Sequence, residues 1–95
     1  MAFTHPIPRP FNERGISFYA PSTSGVFGIS NSQNWILVGE TADIRATLFS
    51  YLRGNDPKLL GYGPTGFVFE QCPLEVRRQR QVQLRTEYRP AYFAS

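Results

Sequence analysis

The sequence predicts an α+β domain in which helices flank a small three-stranded antiparallel sheet, in the order β-β-α-β-α. Short apolar runs at 25–30 and 34–39 are joined by the turn residues Asn-Ser-Gln-Asn, a pattern typical of a β-hairpin. A third apolar run, at 66–71, predicts the last strand. Helical periodicity in the segments 42–53 and 73–88 predicts one helix before that strand and one after it.

Cap residues indicate where the two helices begin and end. Thr41 suits the N-cap of the first helix, and Asp43 favours its first turn. The glycine and proline of the Arg-Gly-Asn-Asp-Pro segment then end this helix. Pro73 suits the first position of the second helix, and Pro90 ends it. The first helix has one apolar face, made by Ile44, Leu48, Tyr51 and Leu52.

The length of 95 residues corresponds to one small domain. Because three prolines interrupt the first fourteen residues, we expect 1–20 to be a Pro-rich N-terminal arm, with a brief edge strand from Gly15, and 21–95 to be the domain. One cysteine, Cys72, and one histidine, His5, exclude an internal disulfide framework and a cysteine zinc site. No long apolar run and no signal peptide is present, so we expect a cytoplasmic protein without a membrane partner.

The net charge of +3 comes entirely from the last quarter of the chain, because acids and bases balance in residues 1–70. Residues 71–95 contain the five arginines Arg77, Arg78, Arg80, Arg85 and Arg89 against Glu75 and Glu87. Clustered arginine attracts phosphate, although a solvated helix face would have the same composition. Leu74, Arg77, Gln81, Leu84 and Tyr88 share one face of the helix. The two polar members of this stripe indicate either an open groove or side chains that extend past the edge of the core.

The order and spacing of these segments resemble the GIY-YIG nuclease family. Gly25-Val26-Phe27 stands in the place of the Gly-Ile-Tyr strand, and Leu37-Val38-Gly39 in the place of the Tyr-Ile-Gly strand. The segment from Glu87 to Phe93 is similar to the closing Tyr-x-Pro-x-Tyr-Asn of the family. A glycine after the second strand permits a tight turn and a close approach of the backbone to a phosphate.

The resemblance implies a phosphodiesterase site with one divalent metal. In the family a glutamate on the last helix binds the metal, an arginine on the first helix stabilises phosphate charge, and the motif tyrosines orient or deprotonate water. At these catalytic positions this sequence has Gln81, Thr47, Phe27 and Leu37, and the closing asparagine is Phe93. The residues that match the family are Gly25, Gly39, Tyr51, Pro90 and Tyr92. The resemblance therefore implies a conserved scaffold without its catalytic set, no metal and no cofactor.

Three functions follow as hypotheses. The first is a catalytically degenerate binding module for nucleic acid or a protein partner, with a groove formed by Gly39, Tyr51, Arg77, Arg78, Arg80 and Arg85. The second is an active nuclease that uses Mg or Mn and relocated residues, for which Arg77 and Glu70 are candidates, whereas Arg45 is expected to point away. The third is a small-molecule site in a cleft lined by Phe27, Leu37 and Tyr51.

Overall fold

Eight elements build the fold in the computed structural model, which describes residues 2–92. They are β1 (Arg9–Pro10), α1 (Glu13–Tyr19), β2 (Gly25–Ser30), β3 (Trp35–Thr41), α2 (Ile44–Leu52), α3 (Pro57–Leu60), β4 (Gly66–Gln71) and α4 (Leu74–Tyr88). This is the predicted α+β architecture, with a helix on each face of an antiparallel sheet. No helix in the described part of the chain is long and apolar enough to cross a membrane.

The sheet has four strands, in the spatial order β1-β4-β2-β3, where three were predicted. β2 lies between β3 and β4, so Val26 faces Glu40 on one side and Glu70 on the other. The additional strand, β1, contains two residues that pair with Phe67 and Gly66 at the edge of the sheet. Proline is tolerated at such an edge, and a strand of two residues has no readable periodicity.

The segment from Gly15 to Tyr19 lies in α1, so the predicted edge strand there is wrong. Asn12 caps this helix, because its side-chain oxygen accepts a hydrogen bond of 2.7 Å from the backbone N–H of Gly15. Ile16 is fully buried against the sheet. The expected N-terminal arm therefore includes a folded element that contributes to the core.

The two faces of the sheet have separate cores. On one face α1 and α2 cover side chains of β2, β3 and β4, and this core comprises Phe11, Ile16, Ala20, Phe27, Ile29, Ile36, Leu37, Ile44, Leu48, Leu59 and Phe67. On the other face α4 and the N-terminal segment cover Val26, Val38 and Val68, with Phe3 and Leu84 completing the cluster. Side chains alternate between faces along each strand, so neighbouring residues of one motif enter different cores.

The helix ends differ from the prediction at two positions. Thr41 is the last residue of β3, and Asp43 is the N-cap of α2 through a hydrogen bond of 3.0 Å from the N–H of Ala46. Pro73 is the N-cap of α4, one position before the expected one. Leu74, placed on the buried stripe by periodicity, is 66% exposed in the first turn. Gly54 follows α2 with a φ of 91°, as its role in ending the helix requires.

Candidate functional site

The two motif positions on the hairpin, Phe27 and Leu37, are 2% and 1% exposed. The ring of Phe27 lies against Gly39 on the neighbouring strand. A Cβ atom at Gly39 would stand 2.6 Å from Cζ of that ring, so the absence of a side chain is what lets the ring pack there. Because Phe27 and Leu37 are core residues, they add almost no exposed surface to the small-molecule cleft that the sequence suggested between them and Tyr51.

An aromatic cluster, made of Phe27, Tyr51, Tyr62 and Tyr92, extends from the core to the surface. The rings of Phe27 and Tyr51 are 6.0 Å apart between centroids. The hydroxyl of Tyr92 donates to both carboxylate oxygens of Asp56, at 2.8 and 3.1 Å. The ring of Tyr62 lies 5.8 Å from that of Tyr92. Sequence reasoning retained Tyr51 and Tyr92 but missed Asp56 and Tyr62, since both lie in a glycine-rich stretch without periodicity.

The surroundings of Tyr51 and Tyr92 favour the neutral form of each phenol. Partial burial raises the pKa of Tyr51, and the carboxylate of Asp56 raises it further, against an opposing effect of Arg85. The hydrogen bond to Asp56 raises the pKa of Tyr92. A phenol with a raised pKa is protonated at neutral pH and acts there as a hydrogen-bond donor.

Thr47, which the resemblance sets against the catalytic arginine of the family, takes part in a local contact. Its hydroxyl lies 2.6 Å from the hydroxyl of Thr41, and this pair joins the end of β3 to the first turn of α2. The nearest arginine in the sequence, Arg45, points elsewhere, as expected. Its guanidinium donates to the carbonyl oxygens of Ala20 at 2.8 Å and Ser17 at 3.3 Å. Neither residue places a cation beside the aromatic cluster.

Gln81, which the resemblance sets against the metal-binding glutamate of the family, covers the free edge of β3. With its amide oriented so that the oxygen faces the donors, Oε1 accepts from the N–H of Glu40 and from Nη2 of Arg85, both at 3.2 Å. Nε of Arg85 also donates to the carbonyl oxygen of Val38, at 3.0 Å. These side chains of α4 thus take the hydrogen bonds that another strand would make.

The chain after α4 continues this cover of the edge. The N–H of Ala91 donates to the carbonyl oxygen of Trp35 at 3.0 Å, and the N–H of Tyr92 donates to that of Ile36 at 2.8 Å. Tyr92 is therefore held at its backbone by β3 and at its hydroxyl by Asp56. Phe93, at the position of the closing asparagine, lies outside the described residues.

Two ion pairs fix α4 across the sheet, on either side of Val26. Nε of Arg77 lies 2.8 Å from Glu40, and Arg80 binds both carboxylate oxygens of Glu70, at 2.7 and 2.9 Å. All four side chains are largely buried. The sequence suggested Arg77 and Glu70 as separate candidates for relocated catalytic residues, but Arg77 is paired with Glu40 and Glu70 with Arg80.

These pairs alter both the carboxylates and the charge of the helix. The hydrogen bond from Arg77 holds the pKa of Glu40 below its usual value, against the effect of burial, and Arg80 does the same for Glu70. Arg78 is different, since its side chain is 88% exposed and approaches Glu40 only to 3.5 Å. Among the arginines assigned to a groove, Arg85 donates to the edge of β3, and its charge opposes the rise in the pKa of Tyr51.

The residues present do not fit a divalent metal at position 81. The donor there is a neutral amide oxygen that already accepts two hydrogen bonds, and the adjacent charge is the guanidinium of Arg85. Hard cations prefer carboxylate oxygens. Among residues 2–92 no three side chains of His, Cys, Asp or Glu are grouped so that they could hold an ion.

Comparison with known proteins finds relatives in structure only. No family model and no curated protein sequence matches the chain. Solved structures of the GIY-YIG N-terminal endonuclease domain of UvrC from Thermotoga maritima do match. A tyrosine-to-phenylalanine point mutant of that domain, bound to the catalytic divalent cation, superposes with a TM-score of 0.71 at 23% identity, over 88% of this chain and 99% of the other. The magnesium-bound domain gives 0.68 at 22%, over 83% and 94%. At this identity the match establishes the architecture, and the chain has the GIY-YIG fold.

Proposed function

We propose that this chain is a GIY-YIG-type domain that binds nucleic acid and does not cleave it. The observation that carries the proposal is the engagement of Gln81, whose oxygen accepts from the backbone of Glu40 and from Arg85 at the place of the metal ligand. Phe27 and Leu37 add no acid, base or cation, because both are apolar and buried. A phosphodiesterase needs a charge to stabilise its transition state and a base for water, and these positions offer neither.

Nucleic acid is the proposed partner because the fold is that of an endonuclease domain and the excess positive charge lies on α4 and after it. Fewer arginines of α4 are available to a ligand than the sequence suggested, since Arg77 and Arg80 are paired with carboxylates. Arg78, which is exposed, and Arg85, at the edge of β3, are the arginines of α4 that we assign to the nucleic-acid surface. A surface with few cations should bind with a shallow dependence on salt concentration.

The test has a binding arm and a cleavage arm. The purified chain should bind labelled DNA or RNA with an affinity that falls as salt rises, and it should leave supercoiled plasmid intact with Mn²⁺ present. Arg78→Gln should reduce the salt slope by about one counterion. Arg14→Gln, which removes the same charge from α1, is the matched control and should change the slope less. No binding at low salt would reject nucleic acid and leave a protein partner as the remaining interpretation, whereas equal slopes for the two variants would reject Arg78 as a contact.

An active nuclease with relocated residues is the second candidate, and one observation favours it. Asp56 is an acid inside the aromatic cluster, hydrogen-bonded to Tyr92 and close enough to Tyr51 to raise its pKa. If the parent protein nicks plasmid, Asp56→Asn should abolish the nicking, while Glu70→Gln, which removes an acid from the opposite face of the sheet, should leave it. That result would replace the binding proposal by the nuclease.

A further inference from the structure

The surface end of the aromatic cluster is an open depression that the proposed function does not yet use. Its volume is about 340 Å³, and it is lined by Lys58 and Gly61 of the α3 region and by the rings of Tyr62 and Tyr92. Tyr62 is 41% exposed, although it is a large aromatic residue. The depression thus combines two aromatic rings with one ammonium group at its wall.

The side chain of Tyr92 and the backbone of Tyr62 are held in place before any ligand arrives. Tyr92 is fixed by its hydroxyl bond to Asp56 and by its N–H bond to β3. The carbonyl oxygen of Tyr62 accepts a hydrogen bond of 2.9 Å from Nδ2 of Asn31, and its N–H donates to Leu59 at 3.1 Å. Side chains that are already ordered lose little entropy when a ligand stacks on them.

The chemistry of the depression matches that of a nucleotide. The two rings contact one another at a tilt of 39°, so a flat ligand would stack on their open faces and not between them. Lys58 supplies the positive charge for an adjacent phosphate, whereas the carboxylate of Asp56 is directed at the hydroxyl of Tyr92. A base inside a duplex is already stacked on its neighbours, so only an unpaired base can offer its face to a tyrosine.

We propose that Tyr62 and Tyr92 form a stacking platform for an unpaired base of single-stranded nucleic acid, with Lys58 binding the neighbouring phosphate. This inference rests on the proposed function, because it specifies which form of nucleic acid the domain takes. Stacking tolerates all four bases, so the platform selects for single strands without selecting for sequence.

The experiment measures the affinity of the whole chain for two labelled oligonucleotides of equal length and charge. One is single-stranded with bases, and the other is the same backbone made abasic. The parent should bind the strand with bases about five- to 150-fold more tightly, the range that one stacked base accounts for. Tyr62→Ala should remove most of this preference. Lys58→Gln should weaken both strands alike, because it removes a phosphate contact.

Phe18→Ala is the matched control, since it deletes an exposed aromatic ring from α1 and should preserve the preference. Thermal unfolding of each variant verifies the fold, and Tyr92→Phe gives a second variant that keeps the ring and loses only its bond to Asp56. Equal affinity of the parent for the two oligonucleotides would overturn the stacking platform and leave nucleic-acid binding intact. Absence of binding to either would overturn both proposals.

Discussion

At the scale of single residues, Gly39, which resembles a glycine of the family motif, is required for packing in the core. Gly39 was expected to let the backbone approach a phosphate, but in the structure the space above it is filled by the ring of Phe27. Gly39 is thus needed for a steric reason, but the group that occupies the space above it is the core side chain of Phe27 and not a phosphate.

We expect Gly39→Ala to lower the free energy of unfolding by about 1–3 kcal/mol, because the new methyl would overlap the Phe27 ring. Chemical denaturation measures this cost directly. The double variant with Phe27→Leu should recover part of it, since the shorter side chain leaves room for the methyl group. If the double variant loses as much free energy of unfolding as the two single variants lose together, the ring and the glycine are not coupled.

Gln81 gives a second prediction at this scale. Both groups that contact its oxygen are donors, so one oxygen of a carboxylate would accept from both and gain a charge-assisted bond to Arg85, while the other oxygen would face the acceptors that now lie opposite the amide nitrogen. Because these two effects oppose one another, Gln81→Glu should change the free energy of unfolding at neutral pH by no more than about 1 kcal/mol. Gln81→Leu should cost about 1–3 kcal/mol, because the N–H of Glu40 would lose its acceptor.

The same Gln81→Glu variant tests whether a carboxylate at position 81 is enough to create a binding site for a divalent metal. A glutamate paired with Arg85 is not free to bind a cation, so calorimetric titration with Mn²⁺ should show no saturable site. Saturable binding in this variant, absent from the parent, would mean that Arg85 yields the carboxylate to a metal and that a single substitution can rebuild the family site.

At the scale of elements, α4 is a helix whose contact with the sheet depends on charge as much as on apolar packing. Leu84 is its one fully buried residue, while Arg77 and Arg80 cross to Glu40 and Glu70 in the row of Val26. Arg77 and Gln81, the polar members of the stripe on α4, are explained by these contacts. Arg77 forms an ion pair with Glu40, and Gln81 covers the edge of β3. Burying charge is favourable only when pairing is this complete.

The ion pair of Glu70 makes stability depend on acidity. Its pKa is lowered in the folded chain, mainly by Arg80, so the stabilisation is fully present above the ordinary carboxyl value of 4.5 and is lost as pH falls through the lower folded value. Glu70→Gln should be less stable than the parent by about 1.5–3 kcal/mol at neutral pH. The two proteins should converge below the folded pKa.

Urea unfolding at a series of pH values provides the measurement. Glu75→Gln removes an exposed acid from the first turn of the same helix and serves as control, with a loss within about 0.5 kcal/mol at every pH. A parallel displacement of the Glu70→Gln curve at all pH values would contradict the assignment, because a paired carboxylate must lose its advantage in acid.

At the scale of the whole molecule, periodic segments were predictable and irregular ones were not. The strands at 25–30 and 66–71 lie where the apolar runs and turn residues placed them. β1, α1 and α3 were missed because they have two, seven and four residues, too few for periodicity to be read. The site was predictable only in part, since the pairing of Arg77 with Glu40 depends on a strand register that sequence spacing does not contain.

The covered edge of β3 has a consequence for how the protein is made. The described groups that cover this edge come much later in the chain than β3 itself. Glu40 and Gln81 are the contacting pair with the smallest separation in sequence, 41 positions. At about 5–20 residues per second, a ribosome needs about 2–8 s to extend from one to the other. Throughout that interval the apolar strand has an open hydrogen-bonding edge, the feature that leads nascent chains to associate. Slow synthesis between these positions should therefore lower the soluble yield, through a hazard that disappears once the chain has folded.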